Sequence, residues 1–212
     1  MKKNNYKGNV SVPTVIIIVL LTIIIVGFAM EKFGKPSEGG ASPGDGAKTG
    51  NTAGDSSKSL VGKSAPTFSL ADRDGNVYTN DSLKGKRVVL FFNEGLMCYP
   101  ACWNQMMEFP KDKRFDQSDV AVFSVVTDTK EAWQKAIEKL PEMGTVKALY
   151  DTSGIVSKDF QMMSVPSSMH AGSMAGHTYV VMDKDGVVRY VLDDPKMAIN
   201  NGTIYSEIEK LK

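Results

Sequence analysis

The residues best equipped for chemistry in this chain are its two cysteines, Cys98 and Cys102, which sit four apart in the run Glu94-Gly95-Leu96-Met97-Cys98-Tyr99-Pro100-Ala101-Cys102-Trp103. The apolar run Val88-Val89-Leu90-Phe91-Phe92 directly before them reads as a buried strand. A strand that turns into a helix delivers Cys98 to the helix start. There, unpaired backbone N–H groups and the helix dipole lower a thiol's pKa and favour the reactive thiolate. One helical turn later Cys102 faces the same side, close enough to resolve a mixed disulfide or to share a soft metal. Residues i and i+4 of a helix have Cα atoms about 6 Å apart, inside the usual disulfide range, although parallel Cβ vectors require some opening of the first turn. Pro100 is tolerated in such a turn and leaves it less committed to regular hydrogen bonding. A bridge this short removes little unfolded-chain entropy, so redox chemistry is favoured over a structural staple.

Other polar groups near these cysteines, or rich in soft donors, are weaker candidates. Both histidines of the chain, His170 and His177, and four of its twelve methionines fall in the segment from Gln161 to His177. That composition fits a soft-metal site or an adaptable, partly apolar lid that docks partner proteins. Glu94 reads as a solvated loop charge, with proton relay to a cysteine as its functional alternative. Trp103 and Tyr99 flank the cysteines, and Trp103 reads as a cap on the core.

The elements that position the pair follow from periodicity. Strands are predicted at Thr67–Leu70, Val77–Thr79, Val88–Phe92, Val120–Val126, Ala148–Tyr150, Thr178–Asp183 and Val187–Val191. Helices are predicted at Tyr99 to about Phe109, Lys130–Leu140, Ile155–Phe160 and Thr203–Leu211, with Trp133 on the core face of the second. The sequences Asp72-Arg73-Asp74-Gly75 and Asp183-Lys184-Asp185-Gly186 read as hairpin turns. This alternation of strands and helices over residues 60–212 is the pattern of an α/β domain with a mixed central sheet.

The chain has 212 residues and a net charge of +1, from 25 basic and 24 acidic residues, which implies no nucleic-acid partner. Lys2, Lys3 and Lys7 precede an uncharged, Ile-rich run from Val10 to Met30, long enough to span a bilayer. Residues 1–33 therefore read as a retained N-terminal transmembrane anchor, with a cleavable signal as the alternative. Basic residues ahead of the span predict a cytoplasmic N-terminus and a domain held outside the cytoplasm. Residues 34–59, rich in Gly, Ser and Ala, read as a flexible linker that cannot bury a core.

Val61-Gly62-Lys63-Ser64-Ala65-Pro66-Thr67-Phe68-Ser69-Leu70, Asp74-Gly75, Leu83-Lys84-Gly85-Lys86 and the strand leading to Cys98 resemble the redoxin group of the thioredoxin superfamily. That group includes the alkyl hydroperoxide reductase and thiol-specific antioxidant (peroxiredoxin) proteins. The likeness continues through Gly176-His177-Thr178-Tyr179-Val180-Val181-Met182-Asp183-Lys184-Asp185-Gly186 and covers about Leu60 to Lys212. It implies a thioredoxin-like fold with the cysteine pair at an accessible edge of the sheet.

The sequence also departs from the family. Peroxiredoxins carry proline seven residues and threonine or serine three residues before the reactive cysteine, and here those positions hold Phe91 and Gly95. Their active-site arginine has no evident counterpart. Thioredoxins use a two-residue spacer and a cis-proline opposite the disulfide, for which Val165-Pro166 is the nearby candidate.

The resemblance implies an enzyme in which Cys98 is the nucleophile and Cys102 resolves. Its substrate is a protein disulfide or a peroxide, an unidentified thiol reductant recycles it, and no organic cofactor is needed. A weaker resemblance, to the Sco copper chaperones, implies instead a Cu(I) site formed by Cys98, Cys102 and His177, with methionine thioethers nearby.

Overall fold

The computed structural model describes residues 56–212. The anchor reading of residues 1–33 and most of the segment read as a linker lie outside these residues. Among the described residues, no helix is long and apolar enough to cross a membrane. A short 3-10 turn, Ser56–Leu60, spans the end of the segment read as linker.

Seven strands form one mixed sheet: β1 Ser69–Ala71, β2 Val77–Thr79, β3 Arg87–Phe92, β4 Val120–Val126, β5 Ala148–Tyr150, β6 Thr178–Met182 and β7 Val188–Asp193. Their spatial order is β2-β1-β5-β4-β3-β6-β7. β3 runs parallel to β4, which runs parallel to β5, whereas β6 pairs antiparallel with both β3 and β7. The helices are α1 Ala101–Glu108, α2 Lys130–Lys139, α3 Ile155–Asp159 and α4 Asn201–Glu209. This is the mixed α/β, thioredoxin-like arrangement expected, with element boundaries within a few residues of those predicted.

β3 shows why the sheet positions the chemistry. All six of its residues are buried, as a central strand covered on both faces must be. Its alternate side chains divide between two cores. Val88, Leu90 and Phe92 join Val180 and Met182 of β6 on one face, with Val156, Phe160 and Met162 packed over them. Val89 and Phe91 join Tyr179 and Val181 on the other, covered by Cys102, Met106, Trp133, Ile204 and Ile208 from α1, α2 and α4. Trp133 is 1% exposed, which makes it a core residue as its helical spacing predicts.

Both predicted hairpins form, each organised by its first aspartate. One carboxylate oxygen of Asp72 accepts from the N–H groups of Asp74 and Asn76, and Asp183 does the same for Asp185 and Val187. α2 is capped by Thr129, whose hydroxyl accepts from the Ala132 N–H.

Candidate active site

The turn between β3 and α1 is built from side chains folded back on the backbone. Asn93, fully buried, donates from its amide to the Phe91 carbonyl and accepts the Gly95 N–H at 2.9 Å, which reverses the chain at the end of the strand. Asp128, just beyond β4, accepts the Leu96 N–H at 3.0 Å. Burial pushes the Asp128 carboxyl above its ordinary range, against the lowering effect of the Leu96 N–H. A single 3-10 turn, Gly95–Met97, then leads to Cys98.

Cys98 and Cys102 are joined in a disulfide with Cα atoms 5.3 Å apart. Cys98 does not open the α-helix. It precedes α1 by three residues, and its carbonyl accepts the Cys102 N–H at 3.0 Å, while Cys102 occupies the first turn. The cis peptide among the described residues is Tyr99-Pro100, inside the cysteine loop, rather than Val165-Pro166.

The expectation of an accessible pair also needs correction: Cys98 is 3% exposed and Cys102 is 0% exposed. The four-residue spacing that aligns the sulfurs also aligns Cys102 with Met106, on the stripe by which α1 packs against the sheet. Met197 completes the cover, its Sδ 3.9 Å from the Cys98 Sγ. It is held there in a left-handed conformation (φ 51°), in a turn organised by Asp194, which accepts the N–H groups of Lys196 and Ala198. The exposed surface beside the pair comes from Met97 and Tyr99.

Behind the disulfide runs a buried polar chain. The Nδ1 of His177 lies 3.5 Å from the Cys102 Sγ, and its Nε2 lies 2.9 Å from the Tyr179 hydroxyl. Tyr179 donates to Gln105 Oε1 at 2.9 Å, and that same oxygen accepts the backbone N–H of Asn200 at 2.7 Å. Gln105 in turn donates to Asn201 at 2.8 Å. Phe91 closes the chain from the sheet side, stacked on Tyr179 and edge-on to His177, with ring centroids 4.6 Å apart in both pairs. Burial is the main cause that lowers the His177 pKa to about 4, opposed by Asp194 and a hydrogen bond to Ala198. Burial likewise pushes the Tyr179 phenol far up.

The Redoxin family model matches residues 60–198. The chain belongs to the Redoxin family. This redoxin is 31% identical over 154 residues to Peroxiredoxin Q, chloroplastic, of Triticum aestivum, covering 70% of this chain and 64% of that protein. It is 26% identical over 158 residues to Peroxiredoxin Bcp of Escherichia coli, covering 71% of this chain and 96% of that one. The crystal structure of peroxidoxin BcpB from Mycobacterium tuberculosis superposes with a TM-score of 0.59 at 22% identity, over 72% of this chain and 98% of that one. The redoxin spans 58 to 64% of the length of the first curated plant relatives it matches.

The copper reading gains no support: His177 does lie beside Cys102, but the two thiolates such a site needs are joined in a disulfide. Among the described residues, no group of three or more His, Cys, Asp or Glu side chains is arranged to hold a metal ion. Of the methionine-rich segment, His177 meets Cys102, whereas Met162 and Val165 pack in the core on the opposite face of the sheet and Met169 is exposed. His170 is engaged elsewhere, its Nδ1 3.0 Å from Glu94 Oε2.

Glu94 is correspondingly not a solvated charge. Its side chain is 1% exposed, and its Oε1 accepts the N–H groups of Met169 and His170 at 2.7 and 3.0 Å, so it fastens the 165–177 loop to the cysteine turn. Trp103 is half-buried, edge-on to exposed Tyr99.

Asn93, Asp128, Gln105, Tyr179 and Met197 were not singled out by sequence. Two carried a signal: Tyr179 lies two residues from His177, which immediately precedes its strand, and Gln105 three residues from Cys102, on the same helix face. The other three act through loop geometry that has no periodic signature.

The buried imidazole gives the redoxin a pH-dependent stability. An unfolded histidine titrates near 6.5 and His177 near 4, so between these values the unfolded chain binds the extra proton. Its contribution is complete above pH 6.5 and is lost as pH falls toward 4, with a slope of up to about 1.4 kcal/mol per pH unit. Urea denaturation across this window, repeated on His177→Gln, checks the expectation: the slope attributable to this residue disappears in the variant.

Proposed function

We propose that this redoxin is a thiol peroxidase. A Cys98 thiolate attacks the distal oxygen of a peroxide, breaking the O–O bond and leaving a sulfenic acid and an alcohol or water. Cys102 condenses on that sulfur with loss of water to form the disulfide, and two electrons from an external thiol reductant restore the dithiol. The observation that carries this reading is the Cys98–Cys102 bridge across the start of α1 at the end of β3, in a domain related to peroxiredoxins of the Q and Bcp type. Access to Cys98 then requires Met197 to swing aside, which a side chain with three rotatable bonds does readily.

A second reading, dithiol exchange with protein disulfides, is favoured by two features. Position 95 is a glycine, with no hydroxyl to hold a peroxide, and the exposed Met97 and Tyr99 offer a partner protein an apolar footing beside the pair. In either reading the uncharged run from Val10 to Met30 supports a tether that holds the domain outside the cytoplasm, so the reductant would be membrane-bound or extracytoplasmic.

The discriminating experiment mixes the reduced protein with one equivalent of hydrogen peroxide and follows free thiols by rapid quench. Loss of both thiols per chain, much faster than for free cysteine at the same pH, is the expected result. Loss no faster than the control would remove the peroxidase reading and leave exchange with protein disulfides.

A further inference from the structure

His177 sits on the far side of the disulfide from solvent, and its hydrogen-bond partners fix which nitrogen carries its proton. The Asn200 backbone N–H can only donate, so the Gln105 oxygen it meets at 2.7 Å is an acceptor. Tyr179 must therefore give its own proton away, to Gln105 at 2.9 Å or to the Ala198 carbonyl at 3.4 Å. Its oxygen is then left to accept from His177 Nε2 at 2.9 Å. Neutral His177 thus carries its proton on Nε2 and presents a bare Nδ1 lone pair to the Cys102 Sγ, 3.5 Å away. This chain of donors is assembled from α1, β6 and the Asp194–Asn200 turn, and no packing requirement alone would call for it.

We propose that His177 is the general base that accepts the Cys102 proton as Cys102 attacks the oxidised Cys98, with Tyr179 as the residue that positions it. This rests on the reading of Cys98 as nucleophile and Cys102 as resolving thiol, and adds the group that activates the second. In the step, the Cys102 S–H bond breaks and its proton passes to Nδ1 while the new S–S bond forms. Hydroxide leaves the Cys98 sulfur, takes that proton and departs as water, so His177 ends neutral.

The resting pair stays thiol and imidazole, because burial disfavours separated charges, and the proton moves only as the sulfur bond develops. The groups facing the ring are Cys102 from α1, Tyr179 from β6, Phe91 from β3, and the Ala198 backbone and Asp194 carboxylate beyond β7. Of these Asp194 is the charged one, and it favours the transient imidazolium.

The test reads the resolving step without peroxide. Reduced protein is mixed with a dithiobis-nitrobenzoate reagent, which releases one chromophoric thiolate when Cys98 attacks. A second is released when Cys102 displaces the aryl thiolate from Cys98, its proton passing through His177 to solvent. A base-assisted second phase is flat from about pH 5 to 8, since the reactive form is neutral thiol beside neutral imidazole. In His177→Gln the second phase is expected to slow by roughly 10²-fold at pH 6 and to rise about tenfold per pH unit, while the first keeps its rate. Tyr179→Phe keeps the ring but loses the acceptor for Nε2–H, and is expected to show a smaller slowing with a flat profile.

A wild-type second phase that itself rises tenfold per pH unit would overturn the proposal, and that measurement needs no variant to fold. So would a second phase in His177→Gln that superimposes on wild type. Failure of the peroxidase reading is seen separately, as the absence of a trappable sulfenic acid in Cys102→Ser after peroxide, and it leaves these two phases unchanged.

Discussion

Cys98→Ser is expected to abolish peroxide consumption entirely, whereas Cys102→Ser should keep the first oxidation and lose turnover. The asymmetry follows from position. Cys98 lies ahead of α1, next to the surface formed by Met97 and Tyr99, with the Met197 Sδ 3.9 Å from its sulfur. Cys102 is fully buried between α1 and the sheet, with His177 beside its sulfur, so of the two thiols Cys98 is the one nearer solvent. Removal of Cys98 therefore leaves only a fully buried thiol. Removal of Cys102 leaves Cys98 able to form a sulfenic acid that nothing in the chain can condense, so excess peroxide carries it on to the sulfinic state. Intact-mass measurement after peroxide, with and without a sulfenic-acid trap, checks both. Peroxide-dependent oxidation in Cys98→Ser at the wild-type rate would reverse the assignment of roles.

The fold was legible because its signals are periodic and local. β3 announced itself as five consecutive apolar residues, and α2 as Ala132, Trp133, Ala136, Ile137 and Leu140 at helical spacing. Each hairpin carried its own aspartate and glycine. The cysteine spacing was equally plain, but the depth of the pair was not. Spacing of four places two side chains on one face of a helix without saying which face meets the sheet, and Met106, one further turn along the same stripe, decides that the face is buried. Glu94 was misjudged for the opposite reason. Its partners are two backbone N–H groups and the His170 ring from a loop some 75 residues away, and nothing in the local sequence marks a carboxylate that closes such a contact. The His177 network shows the same limit: each member is an ordinary core residue until the pairing of Phe91 with Tyr179 brings them together.

The other large expected effect is at Gly95, where the chain departs from the peroxiredoxin pattern. Its φ of +57° is left-handed, and a Cβ added there would lie 1.8 Å from the Asp128 Oδ2. The space that a threonine would need is thus filled by the carboxylate that holds the Leu96 N–H at 3.0 Å. Gly95→Ala should incur the left-handed penalty of about 1–2 kcal/mol. It should also push Asp128 off its donor, leaving the part-buried Leu96 N–H without that acceptor at a further ~1–3 kcal/mol. Together these correspond to a melting temperature lower by roughly 4–20 °C for a domain of this size. Calorimetry on Gly95→Ala, Asp128→Ala and the double variant separates the two contributions. Once Asp128 is shortened, the alanine at 95 should cost only the backbone penalty, so the pair is less harmful than the sum of its parts. Strict additivity would mean that Asp128 is not what excludes a side chain at 95. If the coupling is found, restoring the hydroxyl that peroxiredoxins carry three residues before their reactive cysteine would require changing both positions, because in this chain the carboxylate has taken over that space and now holds the turn that presents Cys98.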